Sequence, residues 1–264
     1  MIELNMIEKR NRIPWIFFDL DDTIWNFTEN STIALHKLYE VMPILRKLFP
    51  SVDEFIDIYH IHNAEMWQLY GRGEVSTKQL KEERWRRTLA TKQFEVLTAV
   101  CEELDYKYLD ILAQCTAEFE GVKEILDELT KRALLGVLSN GFSGTQYKKL
   151  HYSGLEKYIT RTIVSEEISI NKPNIKIFRY AEDETGSVFP YILVGDNAET
   201  DILGALKAGW YAVWINSKGS DFPYSKEYLE KNGIKENQLI GSVRSIKEAR
   251  PLFEKFFSLI ATHR

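Results

Sequence analysis

Two aspartates one residue apart, Asp19 and Asp21, follow directly on the apolar run Trp15-Ile16-Phe17-Phe18. Two other apolar runs end the same way, one in Ser139-Asn140 and one in Gly195-Asp196, and Lys172 precedes Pro173 in the stretch between them. Carboxylates gathered in one place repel unless a cation neutralises them. An all-oxygen ligand set suits a hard cation, and partial coordination completed by substrate phosphate is the habit of Mg²⁺. An ionised Asp19 can attack phosphorus to give an aspartyl-phosphate. Asp21, two residues on, can protonate the leaving alcohol and later activate water. The Ser139 hydroxyl, neighbouring backbone N–H groups and the Lys172 ammonium can bind the equatorial phosphoryl oxygens, over which negative charge spreads during transfer. Each group has a part in phosphoryl transfer.

These groups act together only if the chain brings them to one edge. The short apolar runs at 15–18, 134–138, 161–164, 191–194 and 211–215 read as buried strands. Helical spacing occupies 122–132, 147–150, 175–183 and 200–208 between them. Strands alternating with helices predict an α/β fold, a Rossmann-like doubly wound parallel sheet with helices on both faces. Ligands of such sheets bind beyond the carboxyl ends of the strands, where the polar groups above fall. From about Thr28 to about Phe119 the texture is different. Ile33, Leu35, Leu38, Val41, Phe55, Ile58, Tyr59, Met66 and Leu69 recur at helical spacing, and Pro43, Pro50 and Gly71-Arg72-Gly73 punctuate them. Ser76 or Thr77 suits an N-cap. This block predicts about four helices and no strand. The expected division is therefore a core of residues 1–27 and 119–264 with an all-helical insertion at 28–118. The tail from about Ser217 should add a helix or two, the last starting near Arg250, and carries no evident chemistry.

Composition bounds the rest. The chain has 264 residues, 44% hydrophobic and 28% charged, which is ordinary for a soluble globular protein with a real core. A net charge of −5 gives no global attraction to nucleic acid polymers or anionic membranes. The cluster Arg84, Arg86, Arg87 reads as a solvated helix face, with a site for an anionic substrate as the alternative. Cys101 and Cys115, the two cysteines, make no disulfide framework and read as small apolar residues. Residues 1–12 are charged and polar without an apolar signal core, and no apolar run approaches the ~20 residues that span a bilayer. A cytoplasmic protein is expected, monomeric or homodimeric, acting on a small phosphorylated molecule. His36, His60, His62, His151 and His263 show no ligand spacing. Asp22 suits a structural cap of the turn after Asp21. Trp67, Tyr70 and Trp85 read as helix-packing residues, with a stacking platform for a base as the alternative.

Asp19-Leu20-Asp21-Asp22-Thr23 resembles the first motif of the haloacid dehalogenase superfamily. Ser139-Asn140-Gly141 resembles its second motif, Lys172-Pro173 its third, and Gly195-Asp196 with Asp201 its fourth; together they span about residues 14–216. The resemblance implies roles for the matching positions. Asp19 would be nucleophile and Mg²⁺ ligand, and Asp21 acid/base and a metal ligand through its backbone carbonyl. Thr23, Ser139 and Asn140 would contact the phosphoryl group or the acid/base residue. Lys172 would neutralise nucleophile and phosphate. Asp196 would bind Mg²⁺ directly, and Asp201 would hold a metal-bound water or orient Lys172. A helical insertion straight after the first motif resembles the superfamily's first type of cap, which closes over the site and selects the substrate.

A narrower resemblance, to bacterial pyrimidine 5′-nucleotidases and related nucleoside monophosphatases, is carried by LSNGFSGTQYKKLHYSGL at 138–155, SEEISINKPNIKIF at 165–178 and HNAEMWQLYGRGEVS at 62–76. It implies hydrolysis of a small phosphate monoester, such as a nucleoside 5′-monophosphate. Two departures stand out. Glu120 precedes Gly121 where relatives commonly have proline, and bulky Trp25 follows the first motif near the expected substrate entrance. A phosphosugar mutase shares the four motifs and is the alternative enzyme. Halide removal has no use for an acid at Asp21, because halide leaves unprotonated. A non-catalytic binding protein on the same fold predicts missing motif residues, and none is missing.

Overall fold

In the computed structural model, which describes residues 13–186 and 190–261, the apolar run before Asp19 is strand β1 (Trp15–Phe18), buried along its whole length. The charged N-terminal stretch 1–12 and His263 lie outside the described residues. Five helices follow: α1 (Phe27–Val41), α2 (Pro43–Leu48), α3 (Val52–Gly71), α4 (Thr77–Ala90) and α5 (Thr98–Ala113). The remainder alternates as α6 (Val122–Thr130), β2 (Leu134–Ser139), α7 (Ser143–Tyr152), β3 (Arg161–Val164), α8 (Ser165–Ile168), α9 (Ile175–Thr185) and β4 (Tyr191–Gly195). A π-helical stretch, Ala198–Leu203, then leads into α10 (Gly204–Lys207), β5 (Tyr211–Ile215), α11 (Lys226–Lys231), β6 (Leu239–Val243) and α12 (Arg250–Ala261).

The six strands form one sheet in the order β3-β2-β1-β4-β5-β6, and every pairing is parallel. The order runs outward one way from β1 and the other way from β4. With right-handed crossovers this reversal sends the connecting helices to opposite faces and leaves a crevice beyond the β1 and β4 ends. The fold is the expected Rossmann-like α/β core with an inserted helical domain. Burial on both sides makes the strands read as unbroken apolar runs. Phe17 stacks on Trp15 at 5.5 Å between ring centroids and lies 5.3 Å from Trp210. Its register partner in β2 is Gly136, where a Cβ would overlap the Phe17 ring. The glycine is what admits the aromatic. Fully burying a large apolar side chain contributes ~1.5–3 kcal/mol, so this cluster anchors the strand that carries Asp19.

Two compact units separate in the chain: Phe27–Ala117, and the described residues up to Asn26 together with those from Glu118 onward. Within the helical unit, Asn30 closes the ends of the insertion. Its side chain donates to the Ala117 carbonyl at 2.9 Å and accepts from the Ala117 N–H at 2.8 Å. Ser76 caps α4 in a reciprocal capping box with Gln79.

Three expectations need correction. The insertion has five helices, because Pro43 cannot continue α1 and starts its own short helix. The tail adds a sixth strand besides its helices; β6 is a short, mostly half-buried edge strand containing Gly241 and Ser242, which offers no apolar run to read. Arg84 is not on a solvated face. It is 2% exposed, donates from Nε to Asp105 Oδ1 at 3.0 Å and from Nη1 to Asn63 Oδ1 at 3.1 Å, and packs between Trp85 and Tyr108. Arg86 and Arg87 are partly exposed and paired with glutamates. Trp85 is buried in an aromatic cluster with Tyr59 and Tyr108, whereas Trp67 and Tyr70 are half-buried and meet edge-on at 5.6 Å. Both cysteines are buried and free.

Candidate active site

Register brings the groups together. Phe18 of β1 pairs with Val194 of β4, and the Asp19 N–H donates to the Val194 carbonyl at 2.8 Å. Asp19 therefore leaves the sheet beside Gly195 and Asp196. Carboxylate oxygens of Asp19, Asp196 and Asp201 all lie within 4.8 Å of one another. Asp201 reaches this point because the chain past β4 turns tightly into its π-helical stretch. The Asn197 side chain accepts from the Glu199 and Thr200 N–H groups, while the Asn197 N–H donates to Asp201 Oδ2 at 3.0 Å. A Cβ at Gly195 would overlap the Asp201 carboxylate, so that glycine gives the aspartate its place. π-helical turns are rare and concentrate at functional sites.

Lys172 lies at the centre. It is 1% exposed, and its ammonium sits 2.7 Å from Asp19 Oδ1 and 2.7 Å from Asp201 Oδ1. Asn140 fixes the segment that carries it: the Asn140 amide donates to the Lys172 carbonyl at 2.9 Å and accepts from the Lys172 N–H at 2.8 Å. Both ends of the Asn140 side chain thus bond the main chain of Lys172.

Three crowded carboxylates face one ammonium. Burial pushes the Asp19 carboxyl up to about 7, with Lys172 pulling it down and Asp201 and Asp21 pushing it further up. Burial, then Asp201, Asp19 and Asp22, push Asp196 up to about 9. For Lys172, burial works against the ammonium, but Asp19 and Asp201 outweigh it and hold its pKa above the usual lysine range. A cluster of oxygen donors with more negative charge than its lysine can balance fits a hard divalent cation. Asp19, Asp196 and Asp201 are the side chains able to hold or orient one.

The Asp21 carboxylate is not in that cluster. Its Oδ1 accepts from Lys149 Nζ at 2.6 Å and its Oδ2 from Gln146 Nε2 at 2.9 Å. The same Gln146 amide donates to Ser139 Oγ at 2.6 Å, and the Gly141 N–H donates to that oxygen at 3.1 Å. Thr23 is fully buried, with its N–H directed to the Leu20 carbonyl at 3.4 Å and its hydroxyl unpartnered. Asp22 takes a left-handed conformation, φ 53°, and its N–H closes the turn onto the Trp25 carbonyl at 2.8 Å. Trp25, expected near an entrance, is buried, and the Lys149 ammonium lies 4.5 Å from its ring centre. Gln146 and Lys149 were not among the sequence candidates. Three residues apart on α7, they share one helix face, and the packing of that helix turns the face toward the strand ends.

The comparisons agree with this architecture. A sequence profile described as haloacid dehalogenase-like hydrolase matches residues 13–209. The chain is similar to the pyrimidine 5′-nucleotidase YjjG of Escherichia coli, 30% identical over 211 residues that cover 79% of this chain and 88% of that one. It is 29% identical to the human N-acylneuraminate-9-phosphatase, covering 79% and 85% of the two chains. A magnesium-bound crystal structure of the HAD-hydrolase YfnB from Bacillus subtilis superposes with a TM-score of 0.76 at 24% identity, covering 92% of this chain and 99% of that one. With the motif residues converging past β1 and β4 and a profile match over most of the core, the chain belongs to the haloacid dehalogenase-like hydrolases.

Proposed function

We propose that the protein is a magnesium-dependent phosphatase that hydrolyses a small phosphate monoester through an aspartyl-phosphate on Asp19. One observation carries the proposal: a carboxylate at the end of the central strand, ion-paired to a buried lysine, shares a 4.8 Å cluster with two further aspartates, while a second carboxylate two residues on lies outside that cluster. The first group suits a nucleophile and the second an acid/base.

In the forward half-reaction the Asp19 carboxylate attacks phosphorus and the bond to the alcohol oxygen breaks. Asp21 gives that oxygen its proton. In the second half-reaction Asp21 takes a proton from water, whose oxygen attacks phosphorus and releases phosphate and free Asp19. Lys172 neutralises charge on Asp19 and on the phosphoryl oxygen beside it. The Ser139 hydroxyl, which accepts from Gln146 and Gly141, keeps its own hydrogen to donate to a phosphoryl oxygen. Asp19 and Asp196, with the Asp21 carbonyl, would hold Mg²⁺, and Asp201 would orient Lys172 and a metal-bound water. Mg²⁺ bound there would neutralise the carboxylates and the incoming phosphate.

For the substrate, the bacterial relative's name points to a pyrimidine nucleoside 5′-monophosphate, and the human relative's to N-acylneuraminate 9-phosphate. Shared by both names is a phosphate monoester, and the nucleotide is favoured by the sequence segments at 62–76, 138–155 and 165–178. The test is phosphate release from nucleoside monophosphates, sugar phosphates and an aryl phosphate, with Mg²⁺, with chelator, and with Asp19→Asn. Metal-dependent release that disappears in Asp19→Asn is expected. Turnover that persists in that variant would overturn the nucleophile.

A further inference from the structure

Asp21 is held by two residues that none of the four motifs contains. Lys149 is 3% exposed although it carries a full charge. A desolvated ammonium is costly unless paired, and Lys149 has the Asp21 carboxylate at 2.6 Å and the face of buried Trp25 at 4.5 Å. Asp21 retains 30% side-chain exposure, so its carboxylate stays open to solvent while the lysine behind it is enclosed. Gln146 is fully buried, and its amide bridges Asp21 Oδ2 and Ser139 Oγ. Its orientation is set by chemistry, since an amide oxygen turned toward a carboxylate would repel it. A Cβ at Gly141 would overlap that amide, so the loop backbone is moulded around it. Both oxygens of Asp21 are therefore seated, one by a cation and one by an amide that also touches the hydroxyl assigned to the phosphoryl group.

We propose that Lys149, backed by Trp25, and Gln146 are positioning residues for Asp21: they aim the acid/base carboxylate at the leaving-group side of the phosphoryl site and couple its placement to Ser139. This rests on the phosphatase mechanism above. Neither residue contacts the reacting atoms; each acts through Asp21. The bulky Trp25 belongs to the same device. Its buried ring lies against the lysine ammonium that is paired with Asp21.

The test is the dependence of kcat/KM on the leaving group, which reports the step in which the alcohol departs. A nucleoside 5′-monophosphate has an alkoxide leaving group that needs a proton, whereas nitrophenolate leaves without one. General acid catalysis contributes ~10²–10⁴-fold, so Asp21→Asn should lose that much on the nucleotide and far less on 4-nitrophenyl phosphate. Lys149→Met should copy this selectivity with KM little changed, and Lys149→Arg, which keeps the cation, should recover much of it. In an Asp21→Asn background, Lys149→Met should cost nothing further. Equal losses on both esters, additive losses in the double variant, or a raised KM on both would overturn the proposal in favour of a structural or phosphate-binding lysine. If Lys149→Met does not fold, Gln146→Met and Lys149→Arg carry the same comparison. Failure of the phosphatase mechanism is distinguishable, because it would appear in the unmodified protein as absent metal-dependent turnover or as turnover surviving Asp19→Asn.

Discussion

At the residue scale, the site is built from charges that the fold does not satisfy by itself. Asp196 is pushed up to about 9 by burial and by three neighbouring carboxylates. Its ionised form is therefore a cost to the metal-free protein, and such costs are common where function outweighs stability. Replacing it should relieve that cost. Asp196→Asn is expected to raise the melting temperature of the metal-free protein at pH 8 and to abolish any further rise on adding Mg²⁺, as thermal unfolding with and without the ion would read. A lower melting temperature without metal would mean that Asp196 is satisfied by partners other than a cation. Lys172→Met has the opposite sign, because it leaves Asp19 and Asp201 uncompensated; breaking a buried pair costs ~3–5 kcal/mol.

At the element scale, two positions show how local structure serves the cluster and the insertion. Gly195→Ala would drive a methyl group into the Asp201 carboxylate. The expected result is a folded protein whose Mg²⁺ affinity falls at least tenfold, measured by calorimetric titration. In the helical unit, Arg84→Met would leave Asp105 buried without its cation, and urea unfolding should report a loss of ~3–5 kcal/mol. These elements differ in how far sequence discloses them. The five apolar strand runs are legible because burial on both faces leaves an unbroken signal, and the polar residues that end β1, β2 and β4 stand out against it. Arg84 is not legible, since an arginine among arginines carries no mark of the aspartate 21 residues away that buries it. Lys149 is hidden for the same reason: beside Lys148 it resembles any helix surface, and only the packing of α7 against the strand ends turns it inward. The stretch 198–203 reads as ordinary helix because π-helical turns depend on a single added residue, set here by Asn197 and Asp201.

At the scale of the whole molecule, the sheet order β3-β2-β1-β4-β5-β6 decides that Asp19 and Asp196 become neighbours across 177 positions of sequence, numbers 19 and 196 differing by that amount. Strand order is a tertiary outcome, and alternation alone does not state it. The same placement gives a stability that depends on pH and metal. Asp19 and Asp196 have folded-state values of about 7 and about 9, both above the ordinary 3.8. The folded protein thus holds protons that the unfolded chain has released, so metal-free stability should fall as pH rises from about 4 through about 9. Mg²⁺ would bind the ionised carboxylates, so its stabilising effect should grow over the same interval. At a hundredfold excess over its dissociation constant it would contribute about 2.7 kcal/mol. Melting curves at pH 6 and pH 8, with Mg²⁺ and with chelator, check both signs. A metal-induced shift larger at pH 6 than at pH 8 would contradict them.

The proposed aspartyl-phosphate is the most direct point of test. Protein mixed with a turned-over phosphate ester and Mg²⁺, quenched in acid and treated with borohydride, would have any acyl phosphate reduced to the alcohol. The expected product is homoserine at position 19, absent in samples without substrate. Unreduced Asp19 under conditions of active turnover, or homoserine at another aspartate, would contradict Asp19 as the nucleophile.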